Sequence, residues 1–231
     1  MPKEIVVIGS EQIVVREYEE RPLQANQICI KSELSAIKHG TFLASYKGHT
    51  PFEEKTWDSE LELFIPNKKK EEEDQSTGHF GNMTIGTIVK VGERATRFKV
   101  GDRVYGYLPV RETHTVKEEK VHLVPSKLIA EQVVCIDPAV VALMSIREGR
   151  FSLGDKVAVF GLGAIGLMAV QMAKLSGATF VVGVDPVLSR RKLGKKYGAD
   201  LSIDPTESDA GLEIKLATGR KGVDVAIDSS G

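Results

Sequence analysis

Cysteine is scarce in this sequence of 231 residues, with only Cys29 and Cys135, far apart and each in an apolar stretch. This usage favours buried structural thiols over a disulfide or a pair of metal ligands. No apolar run approaches the ~20 residues that span a bilayer, and the start MPKEIVVIGS shows no cationic leader with a cleavage site. We therefore expect a soluble, cytoplasmic protein with no membrane partner.

An excess of charge of either sign is also missing. Lys and Arg number 31 and Asp and Glu 32, for a net charge of −1. No sustained basic stripe occurs, so a nucleic acid partner is not expected. One segment, Asn67–Asp74 (NKKKEEED), is almost entirely charged. It is predicted to be a solvated loop, with a partner-binding segment as the alternative.

The chain shows two textures. Residues 1–137 hold short β-type runs separated by turn residues, which predicts an irregular β-barrel or sandwich. Residues 138–231 alternate between strand and helix, which predicts a doubly wound α/β domain with about four parallel strands. In that second domain we expect strands at 157–160, 180–185, 201–204 and 223–228, and helices at 164–176, 189–197 and 207–218.

A glycine-rich turn follows the first of those strands, where residues 157–166 read VAVFGLGAIG. The first glycine permits a tight turn, the second lets a diphosphate approach the backbone, and the third lets the next helix lie close to the sheet. That helix is apolar nearly all round, which predicts burial, and Gly177 is expected to end it in a left-handed conformation. Free N–H groups at its start favour an anion. The predicted cofactor contacts here are Gly161, Leu162, Gly163, Ala164, Ile165 and Gly166.

Asp185 closes the apolar run FVVGVD after that helix. A carboxylate in this place accepts hydrogen bonds from ribose hydroxyls and repels a 2′-phosphate. Two like charges ~4 Å apart cost about 1 kcal/mol in water and ~4 kcal/mol at an effective dielectric of 20, so Asp185 favours NAD over NADP. Arg190 and Arg191 oppose this preference if a guanidinium accepts the phosphate; the alternative is a solvated helix turn. Arg190 is included among the predicted cofactor contacts.

A methyltransferase also uses a glycine-rich first turn and an acid after the second strand. Its turn is usually preceded by an acidic residue, whereas apolar residues precede Gly161 here. The combination of strand, turn, apolar helix, second strand and acid therefore predicts a dinucleotide site.

Several longer stretches resemble one family. They are GTIVKVG at 86–92, FKVGDRV at 98–104, a DPAVVAL turn at 137–143 and LGDKVAVFGLGAIGLMAVQMAKLSGA at 153–178. Together with the domain order they resemble the medium-chain alcohol dehydrogenase/reductase superfamily over most of the chain. The resemblance implies a GroES-like first domain that holds an alcohol or carbonyl substrate, followed by a Rossmann domain. It implies hydride transfer to or from nicotinamide.

The metal ligands of zinc-dependent relatives are not matched. His39 stands where those members carry a cysteine, and Gly81–Met83 reads GNM where they carry Gly-His-Glu. The four cysteines of their structural zinc lobe are absent. A catalytic zinc needs three side-chain ligands, and His39 and Asp137 supply two candidates with only Asn82 or Met83 as a third. The resemblance is to a zinc-independent branch, and zinc is not expected.

Without zinc, another group must handle the proton of the substrate hydroxyl. The resemblance aligns Thr41 with the hydroxyl that begins the proton relay of zinc-dependent relatives. An imidazole, with an ordinary pKa of about 6.5, suits acid–base work, so His39 is the first candidate and Lys38 the alternative donor. His39 also precedes Gly40 and could simply shape a turn.

The chain ends on GVDVAIDSSG, which is typical of a fourth strand and its following turn. A complete fold of this kind has about six strands. We therefore expect an incomplete member of the family whose open sheet edge makes it poorly soluble or dependent on a partner, and homo-oligomer formation is left open.

Two function classes follow from the sequence. One is an NAD(H)-dependent alcohol dehydrogenase-type oxidoreductase acting on a small molecule. The other is a non-catalytic nucleotide-binding or interaction protein descended from such an enzyme.

Overall fold

The computed structural model describes residues 1–8, 11–47, 55–66 and 78–230, without the side chains of residues 39, 41, 44, 45, 78 and 79. The charged loop predicted at Asn67–Asp74 lies outside the described residues. The chain divides into two compact units, Met1–Val134 and Cys135–Gly231. No helix among the described residues is long and apolar enough to cross a membrane.

The first unit is built mainly of antiparallel strands. Its elements are β1 (Lys3–Val7), β2 (Ile13–Glu17), β3 (Gln27–Ala36), α1 (His39–Tyr46), β4 (Lys55–Asp58), β5 (Leu63–Pro66), β6 (Gly78–His79), β7 (Met83–Val91), β8 (Arg103–Gly106), β9 (Thr113–Lys117), a 3₁₀ helix (Glu118–Lys120), β10 (His122–Leu123) and α2 (Ala130–Val133).

Three sheets organise these strands. A five-stranded sheet has the order β10-β8-β7-β3-β9, a three-stranded sheet the order β2-β1-β6, and β4 pairs with β5 in a hairpin. The long strands β3 and β7 pair antiparallel with irregularities of register after Cys29 and Ser32. Such irregularities bend a sheet and increase its twist. This is the β-rich first domain that the sequence predicts, and it agrees with the GroES-like domain that the resemblance implies.

The core of this unit is aliphatic. Ile28, Ile30, Ile88, Val104 and Val121 are buried together, and full burial of such a side chain stabilises the fold by about 1.5–3 kcal/mol. Their β-branched side chains suit strands, which is why the short β-type runs could be recognised.

A buried carboxylate connects β1, β2 and the segment that precedes β9. Glu4 on β1 accepts a hydrogen bond from Arg16 on β2 at 2.8 Å and pairs on its other side with Arg111. Burial raises the pKa of Glu4, but the hydrogen bonds and charges of the two guanidinium groups outweigh burial and lower it. The pairing therefore ties three segments together at neutral pH.

The second unit alternates strand and helix. Its elements are α3 (Ile136–Glu148), β11 (Lys156–Phe160), α4 (Ala164–Leu175), β12 (Phe180–Val184), α5 (Leu188–Lys196), β13 (Leu201–Ile203), α6 (Ala210–Ala217) and β14 (Val225–Asp228).

All four strands of this unit are parallel, in the order β13-β12-β11-β14. Apart from Lys156 at the start of β11, the two central strands consist of apolar residues and glycine, as expected for strands covered on both faces. Val157 and Val159 pack with Ala169, Val170 and Ala173 of α4. The predicted Rossmann-type sheet of about four parallel strands is confirmed.

Two predictions of local structure are wrong. The stretch Asp137–Leu143, expected to be a turn, lies inside α3. Its proline occupies the first turn of the helix, where the missing N–H costs nothing. The helix predicted at 207–218 begins only at Ala210, because Asp209 caps it by accepting the Leu212 N–H at 2.9 Å.

His114 on β9 is a buried histidine. It is only 4% exposed and its Nε2 has no hydrogen-bond partner among the described residues. Burial, aided by the charge of Arg111, lowers its pKa from the ordinary 6.5 to about 4. The ring is therefore neutral in the folded chain across the physiological range.

We predict that His114 makes the fold sensitive to acid. The unfolded chain takes up this proton below pH 6.5 and the folded chain only below about 4. As pH falls through this window, the fold should lose about 3 kcal/mol. Urea unfolding at pH 7 and pH 4.5 gives the change in unfolding free energy for wild type and for His114→Leu. Comparing the two changes removes the contribution of the carboxylates that both proteins share. Equal pH dependence in the two proteins would contradict the prediction.

Candidate functional site

The glycine-rich turn of residues 161–163 joins β11 to α4. Gly161 has φ +81°, a left-handed conformation, and its N–H donates to the Val184 carbonyl at 2.8 Å. Gly163 is the N-cap of α4, with extended backbone and no side chain to cap the helix. The first N–H groups of a helix have no partner within it, so this helix start is suited to an anion.

The glycines of the turn are required by close packing. A Cβ on Gly166 would lie 1.8 Å from the Gly161 carbonyl oxygen, and one on Gly161 would lie 2.7 Å from the Ser230 backbone. No other residue fits at either position without moving the backbone. At the other end of α4, Gly177 has φ +90°, which confirms the predicted left-handed ending.

Leu162 in the middle of the turn anchors it to the core. Its side chain is fully buried, and a Cβ on Gly183 of β12 or Gly194 of α5 would lie 3.0 Å or 2.9 Å from its Cδ1. The leucine therefore fills a space that two glycines leave open. It was predicted as a cofactor contact, but the structure buries its side chain and engages its N–H with Asp185.

Asp185 lies directly after β12 and is only 2% exposed. Its Oδ2 accepts the Leu162 N–H at 2.8 Å, and its Oδ1 accepts the Val187 N–H at 2.7 Å. A buried carboxylate is costly unless it is hydrogen-bonded, and these two N–H groups satisfy it. Each oxygen keeps a second lone pair for a ligand hydroxyl.

The two arginines that follow differ in their surroundings. Arg190 is 43% exposed, with Nη1 3.6 Å from Asp185 Oδ2. Arg191 is 14% exposed, and its Nη1 contacts the carbonyl oxygens of Asp185 and Pro186 and the carboxylate of Asp204. The sequence gives no sign of this difference. Hydrogen bonds from Thr206, with a contribution from Arg191, lower the pKa of Asp204.

Sequence reasoning missed the residues after β14. Ser229 Oγ donates toward the carbonyl oxygens of Gly161 at 2.9 Å and Phe160 at 3.1 Å. Asp228 Oδ1 accepts from the Ser230 N–H at 3.0 Å and Oγ at 2.7 Å, which lowers the pKa of Asp228. Carboxyl ends of parallel strands meet at one edge of a sheet, so this motif could have been assigned to the site.

These residues fit a dinucleotide. The start of α4 offers N–H groups to a diphosphate at a point where a glycine leaves the backbone open. The carboxylate of Asp185 lies at the end of the neighbouring strand, the usual place of the ribose in such folds. Ala164, Ile165 and Gly166 form the first turn of α4.

The predicted catalytic residues lie at the beginning of α1. His39 and Thr41 belong to its first turn, and the Lys38 carbonyl accepts the Phe42 N–H at 3.0 Å just before it. Lys38 is half-buried, whereas the side chains of His39 and Thr41 lie outside what the structure describes. The backbone thus brings the three positions into one turn, directly after strand β3. The turn that His39 was expected to shape is helical.

The positions that the resemblance aligns with zinc ligands carry His39, Asn82 and Met83. Met83, at the position of a ligand in zinc-dependent relatives, is buried in β7 and belongs to the core of the first unit. No group of three or more His, Cys, Asp or Glu side chains that could hold a metal occurs in the part of the chain whose side chains are described. Both cysteines are free, and burial raises the pKa of the Cys29 thiol.

Comparison with known proteins gives consistent matches. A model of the family described as zinc-binding dehydrogenase matches residues 164–231. The D-guloside 3-dehydrogenase of Escherichia coli (strain K12) is 37% identical over 234 residues, covering 99% of this chain and 67% of that protein. The (R,R)-butanediol dehydrogenase of Bacillus subtilis (strain 168) is 32% identical over 200 residues, which cover 73% of this chain and 57% of that protein.

Solved structures agree with this relationship. The crystal structure of 2R,3R-butanediol dehydrogenase from Bacillus subtilis superimposes with a TM-score of 0.78 at 29% identity, over 100% of this chain and 71% of that one. The alcohol dehydrogenase TADH from Thermus sp. ATN1 has the same fold, with a TM-score of 0.75 at 20% identity. The match covers 98% of this chain and 70% of that one. The chain belongs to the medium-chain dehydrogenase/reductase superfamily and is an oxidoreductase of the alcohol dehydrogenase type.

Proposed function

We propose that this chain oxidises a secondary alcohol of a polyhydroxylated small molecule, with NAD as the hydride acceptor, and catalyses the reverse reduction. The observation that carries the proposal is the Asp185 carboxylate, held by the Leu162 N–H at the end of β12 beside the glycine turn. NAD, when bound, accepts the hydride; the chain supplies orientation and a path for the proton.

Preference for NAD over NADP is supported by the charges around Asp185. Its carboxylate is positioned to accept ribose hydroxyls and to repel a 2′-phosphate. Arg191 is engaged with Asp204 and two carbonyl groups, which leaves Arg190 as the more exposed of the two guanidinium groups. Arg190 must swing away from Asp185 for a ribose to approach, and its exposure gives it room to do so.

The group that accepts the proton of the substrate hydroxyl is proposed to lie at the start of α1. In the oxidation, the carbinol carbon loses a hydride to the nicotinamide and the hydroxyl oxygen loses its proton, forming a C=O bond. His39 is the proposed acceptor of that proton, and Thr41 orients the hydroxyl. In the reverse reduction, Lys38 is the alternative proton donor. No step is assigned to a metal, because Asn82 and Met83 are poor ligands for a catalytic zinc.

The substrate class is supported by the relatives. One acts on a guloside at its third position and another on a butanediol, and a further relative is named sorbitol dehydrogenase. All three substrates carry secondary hydroxyl groups. Secondary alcohols of glycosides, polyols and vicinal diols are therefore the first compounds to test. The expectations of a cytoplasmic location and of homo-oligomer formation stay predictions.

Loss of the Asp185 charge should reduce the preference for NADH. We expect Asp185→Asn to lower the ratio of the Kd for NADPH to that for NADH by roughly ten- to a hundredfold, since a like-charge repulsion of about 1–4 kcal/mol disappears. Fluorescence titration of each nucleotide measures the ratio. Asp209→Asn is the matched control, because asparagine caps α6 as well as aspartate does. An unchanged ratio in Asp185→Asn would refute the assignment.

Filling the space at Gly166 should damage the turn. Gly166→Ala forces a methyl group against the Gly161 carbonyl, so we expect a loss of about 1–3 kcal/mol in stability and weaker NADH binding. Gly40→Ala in α1 is the control, because its Cβ meets no atom within 4 Å. Urea unfolding and NADH titration provide the measurements. A Gly166→Ala protein indistinguishable from wild type would show that the turn tolerates a side chain.

Removal of the proposed proton acceptor should slow turnover without affecting the cofactor. We expect His39→Ala to lower kcat by about 10²–10⁴-fold with the Kd for NADH unchanged. Thr41→Val should raise KM and lower kcat to a smaller extent. The assay is the absorbance at 340 nm with a panel of methyl gulosides, sorbitol and 2,3-butanediol. If Lys38→Met reduces kcat more than His39→Ala does, the proton role belongs to Lys38.

A further inference from the structure

Arg191 and Asp204 form a shielded ion pair behind the predicted ribose carboxylate. Their Nη1 and Oδ2 atoms are 2.7 Å apart, and the two side chains are 14% and 12% exposed. Arg191 lies in α5 and Asp204 directly after β13, so the pair joins a helix to the edge strand of the sheet. The following inference rests on the proposed NAD function, because it concerns the same site.

The guanidinium group fixes the backbone on which the carboxylate is mounted. Arg191 Nη1 donates to the Asp185 carbonyl at 2.8 Å and to the Pro186 carbonyl at 2.7 Å. The Asp185 N–H donates to the Ile203 carbonyl at 3.2 Å, so both backbone groups of Asp185 are occupied. A shielded guanidinium group is costly without a counter-charge, so the place of Arg191 depends on a nearby negative charge.

Asp204 provides that charge and is itself held in place. Its Oδ1 accepts the Thr206 N–H at 3.0 Å and the Thr206 hydroxyl at 2.6 Å, which leaves Oδ2 to face Arg191. The carboxylate thus draws the guanidinium group inward, away from the surface where Arg190 lies. A released Arg191 would be a cation next to the ribose position.

We propose that Asp204 is a positioning residue for cofactor selectivity, acting through Arg191. It has two effects on the same preference. It holds the Asp185–Pro186 backbone so that the Asp185 carboxylate keeps its place, and it withholds Arg191 from a 2′-phosphate. Asp204 itself touches neither nucleotide.

Two variants separate these effects. Asp204→Asn removes the charge and frees Arg191, so it should weaken NADH binding three- to tenfold and strengthen NADPH binding at least threefold. Arg191→Met removes the hydrogen bonds to the Asp185 and Pro186 carbonyls together with the positive charge. It should weaken NADH binding by a similar factor with no gain in NADPH binding.

A matched control is Asp200, which precedes β13 just as Asp204 follows it. Asp200 Oδ2 accepts the Val181 N–H at 2.7 Å and pairs with Lys174 Nζ at 2.6 Å. Asp200→Asn therefore removes an ion pair beside the beginning of β12. Asp204→Asn instead removes the ion pair of Arg191, which contacts the backbone after the end of β12. A general loss of stability affects both variants, but a change in the NADH to NADPH ratio is expected only for Asp204→Asn.

The experiment is a titration of wild type and these variants with NADH and NADPH, alongside their thermal unfolding. The proposal is supported if the ratio of the Kd for NADPH to that for NADH falls about ninefold or more in Asp204→Asn and stays at the wild-type value in Asp200→Asn. A wild-type ratio in Asp204→Asn overturns it, and the proposed function still stands if Asp185→Asn loses the preference. Folded wild type that binds neither nucleotide overturns both. If Asp204→Asn does not fold, Arg191→Met decides: NADH affinity within twofold of wild type overturns the proposal.

Discussion

The hydrogen bond from the Leu162 N–H to the Asp185 carboxylate is the contact on which the site depends. It joins the turn after β11 to the end of β12, so it links the proposed diphosphate position to the proposed ribose position. The bond is buried, where a missing partner would cost about 1–3 kcal/mol. The same carboxylate therefore supports the turn and remains available to a ligand through its second lone pairs.

The packing around this bond relies on residues without side chains. Gly183 and Gly194 leave the space that the Leu162 side chain fills, and Gly166 lets α4 lie against the turn. Interiors packed this closely tolerate little change in volume. The backbone of the turn is thus closely packed, whereas the Arg190 side chain is 43% exposed. A preorganised backbone reduces the entropy lost when a nucleotide binds.

Periodic features of the sequence predicted most of the second unit. Apolar runs flanked by helical segments indicated β11, β12 and the parallel sheet, and the glycine spacing indicated the turn. The helix α3 was missed because its Asp-Pro start is also typical of a turn. The opposite roles of Arg190 and Arg191 could not be predicted, because adjacent residues in a helix point in different directions and their partners, Asp185 and Asp204, come from different strands. Ser229 was missed because its role depends on a contact with Gly161, distant in sequence.

The most direct test of the dinucleotide site is a crystal structure of the chain with NADH. The account predicts a diphosphate oxygen within hydrogen-bond distance of the backbone N–H groups at the start of α4. It also predicts both adenosine ribose hydroxyls on the Asp185 carboxylate, with Arg190 turned away. A nucleotide bound elsewhere, or a ribose that does not contact Asp185, would contradict the account.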